Sequence, residues 1–299
     1  MAAIGFIGLG NMGGPMAANL VQAGHRVIVQ DISADAVARA VALGAEAASD
    51  IRAAAAGAEA VITMLPSGKE VRGVYLGADG ILSSAAPGTV FIDCSTIDVR
   101  TAREVAAEAA SAGFAMVDAP VSGGVGGAEA GTLTFMVGGD AEAFARTAPI
   151  LAAMGKAVVH AGGSGNGQAA KICNNMILGV SMIAVCEAFV LADKLGLEAE
   201  KLFEISSKAS GQCWSLSTYC PVPGPVPTSP ANRDYQAGFT AAMMLKDLRL
   251  AQDAAQSSGA ATPLGAEAAQ LYALFAAQGG ASTDFSGIIK FLRGESSAT

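Results

Sequence analysis

The chain has 299 residues, of which 52% are hydrophobic and 15% charged, with 37 glycines, a balance that fits two well-buried domains and excludes a disordered or repetitive polymer. Its net charge of -8 at pH 7 opposes a phosphate backbone or an anionic lipid surface, so neither nucleic acid nor membrane is expected as a partner. Gly, Asn, Lys or Glu interrupts each apolar run before the roughly 20 residues of a membrane span, and no basic residue opens the chain as in a signal peptide, so a cytoplasmic protein without a transmembrane helix is expected.

From residue 2 to about 161, the apolar runs AIGFIG, RVIVQD, AVITML, TVFIDCS, FAMVDAP, LTFMVGG and AVVHAG alternate with Ala-rich helical stretches such as 15–23 and 99–112. Strands too apolar to alternate, separated by helices, predict a mainly parallel, doubly wound α/β sheet covered on both faces. From Gly167 onward the periodicity is helical only. One long helix is predicted over 168–195, ending at Lys194 with Gly196 as C-cap. Further helices are predicted near 198–209, 240–257, 263–277 and 284–292, the third with Thr262 as N-cap and Pro263 in its first turn. Between Cys220 and Pro230, five prolines stiffen a loop of a length that is often functional. The expected division is 1–163 and 164–299, the second part all-α. Five cysteines show no C-x-x-C pairing; Cys173 and Cys186 are expected as small buried hydrophobes, and no metal site is expected.

Directly after the first strand stands Gly8-Leu9-Gly10-Asn11-Met12-Gly13, with Asp31 closing the next strand. This is the dinucleotide-binding fingerprint of a Rossmann domain. Gly8 makes the tight turn, Gly10 admits the pyrophosphate, Gly13 lets helix and strand pack, and the acid meets a ribose hydroxyl. A carboxylate at Asp31 would repel a 2′-phosphate, and neither Ile32 nor Ser33 supplies an Arg to receive one, so NAD is the expected cofactor.

Hydride transfer from an alcohol needs a group to take the hydroxyl proton. The two histidines, His25 and His160, flank strands away from the expected site. Lys171 and Asn175 stand four apart in an otherwise apolar helix and so share a face; an amine in such surroundings loses its proton more readily than one in water. A solvated lysine on a first helical turn is the competing reading. Asp118-Ala119-Pro120-Val121-Ser122-Gly123-Gly124 follows a strand, where a hydroxyl and bare backbone N–H groups could receive an anion; a plain connector is the alternative.

These residues and the stretches IGFIGLGNMGGPMAANL, ITMLPSGKEV, DCSTID, VDAPVSGGVGGAEAGTLTFMVGG, GQAAKICNNMILGVSMI, SGQCWS and MLKDLRLAQDAA resemble the β-hydroxyacid dehydrogenase family over nearly the whole chain. The resemblance implies a Rossmann domain joined by the long helix to an all-α domain that builds a homodimer or homotetramer, and a small 3-hydroxy acid as substrate. It makes Lys171 the catalytic lysine with Asn175 beside the substrate, and gives the substrate carboxylate to Ser122, Gly123 and Gly124. It places Leu65, Pro66, Thr96 and Lys246 near the cofactor, Asp247 beside the substrate, and Trp214 and Phe239 as pocket walls. Glu70 stands where relatives carry an asparagine, so that contact is not carried over. L-serine oxidation, semialdehyde reduction and a non-catalytic NAD-binding scaffold remain as alternatives.

Overall fold

The computed structural model describes residues 1–295 and contains two compact units, Met1–Lys171 and Ile172–Thr299. In the first unit the elements run β1 (Ala3–Ile7), α1 (Gly13–Gln22), β2 (Arg26–Gln30), α2 (Ala34–Ala42), β3 (Glu46–Ala47), α3 (Ile51–Ala55), β4 (Ala60–Thr63), α4 (Gly68–Leu76), β5 (Val90–Asp93), α5 (Val99–Ser111), β6 (Ala115–Asp118), β7 (Val121–Ser122), α6 (Gly124–Glu129), β8 (Leu133–Gly138), α7 (Ala141–Leu151) and β9 (Gly155–Gly162). The sheet order is β3-β2-β1-β4-β5-β6-β8-β7, with β9 beside β8. Strands β1 to β6 pair with one another in parallel, whereas β8 runs antiparallel to β6 and β7.

The reason the runs do not alternate is visible in the two cores. Ile4, Phe6, Val29, Ile62 and Ile92 face one core, while Ile7, Ile28, Val61 and Phe91, their immediate neighbours in sequence, face the other. Both faces of each central strand are dry, so both parities must be apolar. Gly5 admits α3, because a Cβ there would lie 2.3 Å from the Ala54 carbonyl oxygen. Two short strands, β3 and β7, were not expected; each has two residues, too few to leave a periodic trace. The glycine stretch after Ser122 forms α6 instead of an open connector, entered through Gly123 at φ 137°.

A single helix, α8 (Asn166–Lys194), continues from the first unit into the second. It ends as expected at Gly196, whose φ of 75° lets Leu197 N donate to Ala192 O at 2.9 Å. The second unit continues with α9 (Ala199–Ser206), α10 (Trp214–Ser217), α11 (Ala241–Ser258), α12 (Pro263–Ala277) and α13 (Ile288–Leu292). Its core joins Met182, Cys186 and Phe189 of α8 to Met244 and Leu248 of α11 and Tyr272 and Phe275 of α12. Gly179 permits this approach, since a Cβ there would touch Met244 and Leu248 at 3.1 Å.

Several expectations change here. Helix α8 does pass the length and composition test for a membrane span, with a mean hydropathy of 2.0 over its most apolar 18 residues. Its Gly, Asn and Lys are too sparse to lower that average, and Met182, Cys186 and Phe189 give its apolarity an interior use. Cys173 is exposed, because it lies on the side of α8 turned from the core. Thr262 does not cap α12 with its side chain; its hydroxyl donates to Gln252 Oε1 at 3.1 Å. The segment near 284–292 begins as a 3₁₀ turn over Phe285–Gly287 before α13.

Candidate active site

The strand order reverses between β1 and β4, so the loops leaving β1 and β4 diverge and open a crevice at their carboxyl ends. The glycines there divide into two kinds. A Cβ on Gly8 would lie 2.3 Å from Met64 O, and one on Gly13 would lie 1.9 Å from Gly8 O, so these two serve close packing. A Cβ on Gly10 meets nothing within 4 Å; its bareness faces open space. No side chain caps α1, whose N-cap is Met12; Gly14 N donates to Gly10 O at 3.1 Å and Pro15 has no N–H, so the Gly13 N–H is the first-turn donor left for an anion. Leu9 is buried and Asn11 exposed. The cradle therefore fits a dinucleotide pyrophosphate.

Asp31 is engaged by the backbone. Its carboxylate accepts from Leu9 N at 2.6 Å and from Ser33 N at 2.7 Å, tying the end of β2 to the glycine turn. Each oxygen keeps further lone-pair capacity for a ribose hydroxyl, and its negative charge still opposes a 2′-phosphate.

Beneath the other strand ends lies a polar network that sequence reasoning missed. Asp93 Oδ1 accepts from Thr63 Oγ1 at 2.8 Å and Ser95 Oγ at 2.5 Å, and Ser95 Oγ accepts from Leu65 N at 2.8 Å. Burial, with the nearby Asp93 charge second, pushes the Tyr75 hydroxyl well above its ordinary range; Tyr75 and Thr63 Oγ1 are 3.0 Å apart. Gln168 spans the two sides of Thr96: its Nε2 donates to Ser95 O at 2.7 Å and its Oε1 accepts from Ile97 N at 3.1 Å. Asp118 closes β6 and accepts from Gly165 N at 2.6 Å and Gln168 N at 2.9 Å, holding the first turn of α8. Burial pushes its carboxyl up to about 6 against these opposing bonds. The available signal was an acid ending each of two wholly apolar runs, since a carboxylate on a buried strand must be hydrogen-bonded.

Lys171 is 7% exposed and donates from Nζ to Val121 O at 2.7 Å, which sets the amine beside Ser122 and the Gly123–Gly124 turn. It is buried, not a solvated lysine. Leu65 is half-buried, Pro66 exposed, Thr96 half-buried and Ser122 half-buried, all at strand ends. Glu70 is used locally: its carboxylate accepts from Ser67 Oγ at the start of α4 and is held below its ordinary range by that bond. His25 Nδ1 accepts from Ala2 N at 3.3 Å, and His160 stacks on Phe144 with its Nε2 at 2.8 Å from Gly139 O, so both are structural.

In the second unit Asn175, 2% exposed, donates from Nδ2 to Asp247 Oδ2 at 2.5 Å, and its Oδ1 accepts from Asn174 at 3.0 Å. Lys246 and Asp247 are adjacent on α11, Lys246 half-buried and Asp247 buried. Trp214 is 48% exposed and stacks on Tyr219 at 4.8 Å; Phe239 packs edge-on against Phe285 at 5.8 Å. Among the described residues no cluster of three or more His, Cys, Asp or Glu could hold a metal.

Two family models cover the chain. One, described as the NAD binding domain of 6-phosphogluconate dehydrogenase, matches residues 3–163. The other, described as NAD-binding of NADP-dependent 3-hydroxyisobutyrate dehydrogenase, matches residues 165–292. A probable 3-hydroxyisobutyrate dehydrogenase of Mycobacterium tuberculosis is 53% identical over the full length of both chains. An NAD-dependent L-serine dehydrogenase of Pseudomonas aeruginosa is 52% identical over 97% of each. A solved structure of the Mycobacterium tuberculosis 3-hydroxyisobutyrate dehydrogenase with L-serine superposes with a TM-score of 0.94 at 54% identity, covering 98% of this chain and 99% of that one.

Proposed function

The chain belongs to the 3-hydroxyisobutyrate dehydrogenase family of NAD-dependent oxidoreductases that act on the CH–OH group of small hydroxy acids, and on that premise we propose that it oxidises 3-hydroxyisobutyrate to methylmalonate semialdehyde. NAD, when bound, accepts the hydride from the hydroxyl-bearing carbon. The glycine turn over 8–13 holds its pyrophosphate, Asp31 its adenosine ribose, and Leu65, Pro66, Thr96 and Lys246 its nicotinamide side. In this reading 1–163 is the NAD-binding domain and 164–299 the substrate and oligomerisation domain.

The substrate carboxylate rests on Ser122 and the amides of Gly123 and Gly124. Lys171, as a neutral amine, takes the hydroxyl proton. The observation that carries this assignment is the 2.7 Å bond from Lys171 Nζ to Val121 O, which holds the buried amine beside Ser122. Asn175 steadies the hydroxyl oxygen with its second amide N–H, the first being donated to Asp247. Trp214 and Phe239 keep the space beside the second carbon apolar, which favours a methyl by roughly 0.8 kcal/mol and disfavours an ammonium that must lose its water.

L-serine is the second reading, supported by the serine dehydrogenase relative and by the L-serine in the solved structure. Initial rates of NADH formation with 3-hydroxyisobutyrate, L-serine and 3-hydroxypropionate decide between them. We expect kcat/KM for 3-hydroxyisobutyrate to exceed that for 3-hydroxypropionate about fourfold and that for L-serine at least about tenfold; equal efficiency on L-serine would move the assignment to serine oxidation.

Homo-oligomerisation belongs to the same proposal. On α8, Ile177, Ala184, Ala188 and Leu191 are exposed and Ser181 half-buried, and Leu195 just past its end is exposed; their alternating steps of four and three match the seam by which two helices pack. Sedimentation at micromolar concentration should give a dimer or tetramer, and Ile177→Glu with Leu191→Glu should give smaller species.

A further inference from the structure

The residues assigned as pocket walls, Trp214 and Phe239, stand at the starts of different helices, and one buried carboxylate reaches both. Asp284 is 0% exposed. Its Oδ2 accepts from Tyr219 Oη at 2.9 Å, Gly238 N at 3.0 Å and Phe239 N at 3.2 Å. Its Oδ1 accepts from Ser286 N at 3.0 Å and Ser286 Oγ at 2.7 Å. The rings form a continuous row around it: Trp214 on Tyr219 at 4.8 Å, Tyr219 on Phe285 at 5.3 Å, and Phe285 against Phe239 at 5.8 Å. Burial, then the Asp284 charge, holds the Tyr219 hydroxyl well above its ordinary range, so it remains a donor to that carboxylate. The bridge between Thr240 and Asp284 fixes the N-cap of α11, the helix that carries Lys246 and Asp247.

We infer that Asp284 is a specificity-positioning residue that sets the separation of the Trp214 and Phe239 walls, and with it the preference for a substrate branched at the second carbon. This rests on the reading of those two residues as pocket walls. The physical reason for one carboxylate is acceptor capacity. Five donors converge on two oxygens, and only a carboxylate offers acceptors on both. An Asn at this position must turn an NH₂ toward one set of donors, releasing either the Tyr219 and Phe239 side or the Ser286 side. The row then loses its common anchor, although no ring has been altered.

The test is the ratio of kcat/KM for 3-hydroxyisobutyrate to that for 3-hydroxypropionate, which lacks the branch. Active-site concentration cancels in this ratio, so a merely structural loss lowers both terms and leaves it unmoved. Asp284→Asn is expected to lower the ratio about threefold or more, and Tyr219→Phe, which keeps the ring and removes one donor, in the same direction by less. Should Asp284→Asn fail to fold, Tyr219→Phe decides. Trp214→Leu and Phe239→Leu test the underlying reading. If they shift the ratio while Asp284→Asn and Tyr219→Phe leave it at the wild-type value, the positioning role is overturned and the walls stand. If neither wall variant moves it, both fall.

Discussion

The two compact units place chemical groups by different means. In the first, the cradle is made of backbone: bare glycines, an uncapped helix start and a carboxylate that accepts from main-chain N–H groups. In the second, side chains hold side chains across long separations, Asn175 on Asp247 and Tyr219 on Asp284. A backbone site depends on residues a few positions apart and survives many substitutions around it. A site of mutually bonded side chains depends on the packing of whole helices, and each member is answerable to a distant partner.

Lys171 is the last residue of the first unit, and its replacement draws this contrast most sharply. Lys171→Ala should lower kcat by 10² to 10⁴, about the worth of a positioned proton-transfer group, while NADH affinity, set by the backbone cradle, stays within a fewfold of wild type. Retention of a tenth of the wild-type kcat in stopped-flow turnover would transfer the role elsewhere.

The buried carboxylate Asp118 probes the first unit through pH. Its folded-state pKa of about 6 lies above the ordinary 3.8, so the folded state binds the extra proton. Its contribution is fully present below about pH 4 and lost as pH rises through 6, on the order of 3 kcal/mol. Asp118→Asn should lack that loss. Urea unfolding of both proteins between pH 4 and 7 should give a stability difference that grows with pH in favour of the variant; a pH-independent difference would show that burial does not dominate at this site.

At the glycine turn, wild type should prefer NAD to NADP at least about tenfold in kcat/KM, because Asp31 opposes a 2′-phosphate. Asp31→Asn should narrow the gap while weakening the tie to Leu9 N and Ser33 N. Equal use of the two cofactors by wild type would show the carboxylate to be wholly occupied by the backbone. The smallest effect belongs to the second unit. Thr262 bonds Gln252 and not the N–H groups of α12, so Thr262→Ala should cost less than the ~1 kcal/mol typical of a lost cap; thermal unfolding that shows a larger loss would restore a capping role.

Much of the first unit was legible in the sequence because its determinants are local. Gly8, Gly10, Gly13 and Asp31 act within two strands and one helix, and an apolar run that refuses to alternate already implies a sheet dry on both faces. The long helix and its Gly196 terminus were legible for the same reason. The partner of each polar group was not. That Gln168 clasps both sides of Thr96, that Asp118 anchors the first turn of α8, and that Asp284 gathers Tyr219 and Phe239 depend on chain segments tens of residues apart meeting in space. A buried acid in a sequence announces that donors must exist somewhere, since an unpaired one is too costly to bury; only tertiary packing decides which donors those are.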